Sequence, residues 1–276
     1  MNIIWSDFDP NSEWSVKQRE AKSVNGSDYW PTMREVFKHD CATLPLNRFR
    51  LWASIHNVPL VTQYRTSRFF GEAFYHAYRD EEIYNALLEN WIGIPEGMAE
   101  ALRPTNDFDT STQRIQNLGH LMITGFGKEK LRSIKSIVEI GAGYGDMCSL
   151  IHDLGFQGEY TIVDIPETQP IQEFYLGKQG ITPKWSFEDD NVSHADLVIA
   201  TWSLSETPLE YRAKLMPKID QSKNWLIMAQ SEIFGQKVND EYFTNFFKDK
   251  NMTKIPLGSE QMKQWDGDNN YYVVRD

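Results

Sequence analysis

The sequence predicts a doubly wound α/β sheet over residues 126–276, preceded by a helical segment over residues 1–125. Three observations carry this. Short apolar runs alternate with helix-length segments after about residue 130, as parallel strands and their crossover helices do. The first of these runs ends in a glycine-rich turn, Gly141-Ala142-Gly143-Tyr144-Gly145. Before residue 130 the large apolar side chains fall instead at three- and four-residue steps.

Taken in order, residues 67–93 (SRFFGEAFYHAYRDEEIYNALLENWIG) place Phe70, Phe74, Ala77 and Tyr78, then Tyr84, Leu87, Leu88 and Trp91, on helical faces until Gly93 and Pro95 stop them. These residues are expected to form a helical cap that packs over the sheet edge, with part of it used for dimerisation. Residues 111–126 (STQRIQNLGHLMITGF) predict another helix, capped by Ser111 or Thr112 and lined by Ile115, Leu118, Leu121 and Met122. The strand-like runs SIVEIG, EYTIVDI, ADLVIATW and NWLIMAQ follow, separated by GDMCSLIHDLG, TQPIQEFYLGKQG and TPLEYRAKLMPKID as helices. At the C-terminal end MTKIPLG and NNYYVVRD read as an antiparallel pair at a sheet edge.

Composition narrows the function. A net charge of −11 on 276 residues repels nucleic acid and anionic lipid, so neither is an expected partner. The two cysteines, Cys41 and Cys148, have no zinc or disulfide spacing. No run approaches about 18 apolar residues, and the first residues lack the pattern of a secretory leader, so a cytoplasmic protein is expected.

The glycine turn lies where open α/β sheets bind ligands, between a strand's carboxyl end and the next helix. No lysine follows in the spacing of a phosphate-binding P-loop. A dinucleotide fingerprint requires a glycine at position 146, where this chain has Asp146, an acid that would repel a pyrophosphate. A cationic nucleoside fits better. Glu139, just ahead of the turn, is placed to attract an ammonium group. Asp164, 23 residues after Gly141, ends the next strand and can accept both hydroxyls of a ribose.

On IVEIGAGYGDM, YTIVDIPETQPIQEFYL and DLVIATWSLSE the chain resembles class I S-adenosylmethionine-dependent methyltransferases, and among them sugar O-methyltransferases, over residues 110–276. The resemblance implies a Rossmann-like seven-stranded, mostly parallel sheet with an antiparallel C-terminal edge. It implies S-adenosylmethionine as cofactor, held by Glu139, Gly141, Ala142, Gly143, Tyr144 and Gly145, by Asp164 and Ile165 at the ribose and adenine, and by Glu188 or Asp189 at the adenine amino group. Thr201 and Trp202 are expected beside the donor, and Ser203 beside the acceptor.

A hydroxyl acceptor needs a base. Glu206 is the first candidate, although an acid there equally suits the positive end of the helix that starts near Pro208. His120 is the second, although a surface or merely hydrogen-bonded histidine is the commoner role for such a residue, and His56 and His76 have thinner claims. The acidic run 188–191 suits adenine recognition or solvation rather than a metal, and none is expected. Arg65 and Arg68, with Arg48 and Arg50, sit beside aromatic residues and could clamp the diphosphate of a nucleotide-sugar, or could lie along apolar surface. Tyr144 could cover the donor or acceptor, or pack against the helical segment. The expected activity is methyl transfer to a hydroxyl of a sugar or nucleotide-sugar, the alternatives being another small metabolite, phosphorylated or not, as acceptor or a non-catalytic cofactor-binding regulator.

Overall fold

The computed structural model describes residues 29–43, 46, 117, 120, 121, 123–187, 192–231, 238–257 and 269–276. Helices predicted over 67–93, and the start of the one predicted from residue 111, lie outside them. Asn117, His120, Leu121, Ile123 and Thr124 are helical.

The elements are α1 (Tyr29–Thr43), α2 (Lys128–Ser133), β1 (Ser136–Ile140), α3 (Asp146–Asp153), β2 (Glu159–Asp164), α4 (Gln169–Gly177), β3 (Lys184–Phe187) and β4 (Leu197–Thr201). They continue with α5 (Leu209–Ile219), β5 (Asn224–Gln230), α6 (Asn239–Phe246), β6 (Met252–Leu257) and β7 (Asn269–Val274). The seven strands form one sheet in the order β3-β2-β1-β4-β5-β7-β6. Strands β1 to β5 pair in parallel, and β7 is antiparallel to both β5 and β6. The seven-stranded sheet with an antiparallel C-terminal edge is therefore the one the sequence predicted. It departs from the open dinucleotide sheet, order 3-2-1-4-5-6, by the reversed strand set between the last two.

The strands are apolar on both faces because both faces are covered. On one face Ile137, Ile162, Leu197, Ile199, Leu226 and Met228 pack with Met147, Leu150 and Ile151 of α3 and Leu176 of α4. On the other, Val138, Val163, Val198, Trp225 and Ile227 meet Leu215, Met216 and Ile219 of α5, Phe243 of α6 and Phe247 just past its end. The period-two alternation of β1 thus splits one strand between two cores.

Helices α1, α2 and α6 were not anticipated individually. At the end of α6, Phe246 and Phe247 stand edge-on to the Trp225 indole, 5.6 Å and 5.2 Å between ring centroids, and Phe243 packs beside Tyr272. The outermost strand, β6, carries Lys254 and Pro256; a charge and a residue without an N–H keep such an edge from recruiting another strand. No helix among the described residues is long and apolar enough to cross a membrane.

Candidate functional site

The carboxyl ends of β1, β2 and β4 lie side by side at the centre of the sheet, and the loops leaving them build the site. The turn after β1 is fixed by backbone bonds: Gly141 N–H donates to Val163 O over 2.8 Å and Gly145 N–H to Ala142 O over 2.9 Å. All three glycines have positive φ. At Gly141 a side chain is excluded twice over, by φ of +71° and by Ser203, whose Cβ would stand 2.2 Å from an added Cβ. At Gly143 nothing among the described residues lies within 4 Å of an added Cβ. The first glycine is thus closed by packing, while the second is open as far as the described residues go, so that a ligand could lie against its main chain.

Asp164 ends β2. Its Oδ1 accepts from Ile165 N–H at 2.8 Å and its Oδ2 from Gln172 Nε2 at 2.9 Å. Burial pushes its pKa up to about 6, although the bonds from Ile165, Gln172 and Ala142 work the other way. A ligand diol that donates to this carboxylate would relieve part of the burial cost.

Glu139 is almost fully buried and accepts from the Tyr160 hydroxyl at 2.7 Å. Burial drives its pKa up to about 8, the Tyr160 bond opposes this, and the nearby Asp164 and Asp146 add to it. The same desolvation raises the Cys148 thiol. Asp146 does not stand in the open part of the turn. Its carboxylate, 1% exposed, accepts from Asn117 Nδ2 at 2.9 Å and from the Tyr175 hydroxyl at 3.0 Å. Any repulsion it exerts on a pyrophosphate acts from inside the protein.

Tyr144 takes the second of its two expected places. Its ring packs edge-on to Tyr175, 4.9 Å between centroids, in an apolar cluster with Met33 and Phe37 of α1 and Ile171 of α4. With its ring 6% exposed, it fastens α1 to the glycine turn rather than reaching out toward a ligand. Helix α1 is held there also by Arg34, whose Nε lies 3.1 Å from both carboxylate oxygens of Glu167, three residues past Asp164.

After β4 the chain turns sharply. Trp202 is the one non-glycine residue with positive φ among those described, at +62°, a conformation costly for a large side chain. It is held by its own N–H to Met228 O at 2.7 Å, by its indole to Asn269 Oδ1 at 3.1 Å, and by Ser205, which donates twice to its carbonyl. The Ser203 hydroxyl donates to Ile140 O and so ties the β4 turn to the end of β1. Glu206 closes the single 3-10 turn Ser203–Glu206. It is half-buried, and among the described residues no donor reaches its carboxylate, so burial alone raises its pKa to about 7.

Arg212 secures this turn from below. Its guanidinium donates to Ser205 O at 2.8 Å, Thr207 O at 2.8 Å and Asn239 Oδ1 at 2.7 Å, gripping the carbonyls on either side of Glu206. Desolvation lowers its pKa to about 10.

His120 is brought to the same region but not to its surface. It is fully buried, 2.8 Å from the Tyr271 hydroxyl through Nδ1 and edge-on to the Trp202 ring at 5.0 Å. Burial pulls its pKa down to about 3, which leaves it neutral and a feeble proton acceptor at neutral pH. Its place is under Trp202, in the hydrogen-bonded setting that was the alternative to a catalytic role. The remaining expected residues, Glu188, Asp189, Arg48, Arg50, Arg65, Arg68, His56 and His76, lie outside the described residues.

No family model matches the chain, and no curated protein matches it in sequence. Among solved structures it is similar to magnesium protoporphyrin IX methyltransferase from Synechocystis with bound SAM, at 11% identity over 71% of this chain and 97% of that one, TM-score 0.45. It is also similar to an O-methyltransferase family protein from Burkholderia thailandensis, at 10% identity over 65% and 62% of the two chains, TM-score 0.43. Ribosomal protein L11 methylase from Lactobacillus delbrueckii is a third, at 13% identity over 59% and 79%, TM-score 0.41.

Sequence reasoning gave no site role to Gln172, Tyr175 or Arg212, although Gln172 and Tyr175 lie in a stretch that carries the resemblance. The first two carried a readable signal, since Gln172, Tyr175 and Leu176 share one helical face directly after the strand that supplies Asp164. Arg212, an arginine in a charged helix, carried none.

Proposed function

We propose that the chain is an S-adenosylmethionine-dependent methyltransferase acting on a hydroxyl of a sugar or nucleotide-sugar. One pairing carries this reading: the open face over Gly143 lies next to the Asp164 carboxylate, which is a cradle for a nucleoside with a free ribose diol. The motif resemblance favours a cationic nucleoside, and the Asp164 carboxylate, with a pKa of about 6, supplies negative charge there at neutral pH, whereas Glu139, raised to about 8, is largely protonated and offers hydrogen bonds rather than charge. Asp164 would hold the ribose hydroxyls, Gly143 the backbone side of the amino-acid portion, and Ile165 the adenine. S-adenosylmethionine, when bound, supplies a methyl group on a positively charged sulfur.

The chain's own task is then to align the acceptor oxygen and to take its proton as the new oxygen–carbon bond forms and the sulfur–carbon bond breaks. Glu206 is the base, because its carboxylate lacks a donor among the described residues and its pKa of about 7 matches proton transfer near neutrality. His120 acts as support beneath Trp202. Residues 1–125 form the acceptor-side cap; α1, packed on the glycine turn through Met33, Phe37 and Arg34, supports that role. The sugar assignment rests on the motif resemblance.

The test has two stages. S-adenosylhomocysteine should raise the melting temperature of the protein, and no rise at saturating concentration sinks the cofactor reading. Transfer of a labelled methyl group to a panel of nucleotide sugars should then succeed; transfer to another metabolite class with none to sugars sinks the acceptor.

A further inference from the structure

Helix α4 is more than a crossover between β2 and β3. Three residues on one of its faces each grip the glycine turn. Leu176 lies against Gly145, its side-chain carbons 3.0 Å from where a Cβ would stand. The Tyr175 hydroxyl donates to Asp146 and its ring meets Tyr144. Gln172 Nε2 donates to Gly143 O at 2.9 Å and, with its other proton, to Asp164 Oδ2 at 2.9 Å.

The orientation of the Gln172 amide is not left to chance. Its oxygen accepts from the Trp185 indole at 3.1 Å, and an indole N–H can only donate. The amide nitrogen is thereby turned toward Gly143 and Asp164, and the side chain is completely buried. One buried amide thus joins the two halves of the nucleoside cradle, the open glycine and the ribose acid.

We infer that Gln172 is a positioning residue for the cofactor, a strut that sets the distance between the Gly143 backbone and the Asp164 carboxylate and aims the latter at the ribose. This rests on the cofactor reading above. It makes the Gln172-x-x-Tyr175-Leu176 face, rather than the glycines alone, the specificity element of the turn.

The experiment is a double-mutant cycle read by calorimetric titration with S-adenosylhomocysteine, using the full-length parent, Gln172→Leu, Asp164→Asn and the double variant, with the ligand-free melting temperature of each. Gln172→Leu should weaken binding roughly tenfold, as loss of a buried bond to a charged group does. In the Asp164→Asn background the same change should cost markedly less, because part of its effect runs through Asp164. Parent-like affinity of Gln172→Leu overturns the inference, and so do losses that simply multiply in the double variant. If Gln172→Leu melts below the assay temperature, Gln172→Glu, nearly the same shape, replaces it in the cycle. Its carboxylate faces Gly143 O and Asp164, so the loss should be larger still. Absence of binding by the parent sinks the cofactor reading itself, whereas a binding parent with a silent Gln172 sinks this inference alone.

Discussion

Gly141 and Ser203 hold the ends of β1 and β4 so close that no side chain fits between them, the Ser203 Cβ standing 2.2 Å from where a Gly141 Cβ would be. The contact separates two glycines that look alike in sequence. Gly141→Ala should destabilise the fold by about 3 kcal/mol or more, through overpacking and a left-handed alanine. Gly143→Ala meets nothing among the described residues and should cost only about 1–2 kcal/mol for its φ of +59°. Its S-adenosylhomocysteine affinity should nonetheless fall, because the methyl group occupies ligand space. Thermal melts and titrations of both variants check this, and equal stability losses would refute the distinction.

Asp164→Ala should leave the protein folded and abolish most of the thermal shift given by S-adenosylhomocysteine. Two hydrogen bonds to a charged acceptor disappear from the complex, so affinity should drop at least about tenfold. An undiminished shift places the ribose elsewhere.

Glu206→Gln keeps the shape of the β4 turn and removes the proton acceptor. With the acceptor molecule in hand, turnover should fall roughly 10²- to 10⁴-fold while S-adenosylhomocysteine binds as before. In the parent, a base must be ionised to act, so kcat/KM should climb as pH rises through about 7 and then level. A flat profile across pH 6–8 in the parent argues for another base.

Glu139 makes stability depend on pH. Its carboxyl titrates at about 8 in the folded chain against an ordinary value of 4.5, so the folded state holds the proton longer. The contribution to stability is full below pH 4.5 and is lost progressively as pH rises to about 8. Glu139→Gln retains an oxygen for the Tyr160 hydroxyl and never ionises. Relative to the parent it should gain on the order of a few kcal/mol between pH 5 and pH 9 in urea unfolding. A difference that stays constant with pH contradicts the burial of this acid.

Most of the sheet was legible because its signals are local. Val138, Ile140, Val198 and Ile199 sit in runs whose apolar density only a two-sided sheet can bury, and the turn after β1 announces itself by its glycines. Asp164 at the end of β2, beside the turn, followed from the strand pattern. What stayed hidden depends on contacts distant in sequence. Nothing in the neighbourhood of Arg212 tells that its guanidinium reaches back to Ser205 and across to Asn239, and nothing beside His120 tells that Tyr271, 151 residues on, will bury it. Tyr144 left two readings open for the same reason: an aromatic residue in such a turn can face a ligand or brace the turn, and its packing on Met33, Phe37 and Tyr175 is set by contacts distant in sequence.

Strand β7 comes after β5 and β6 in the chain yet lies between them, pairing Trp225 to Gln230 on one side and Met252 to Leu257 on the other. A nascent chain that has emerged only through β6 therefore carries two raw sheet edges, β5 and β6, that cannot satisfy each other in their native arrangement. During synthesis those edges are the hazard for aggregation, and residues 269–274 are the wedge that removes it. Completion of the sheet is thus deferred until the last strand arrives, after the strands that hold the site have already been made.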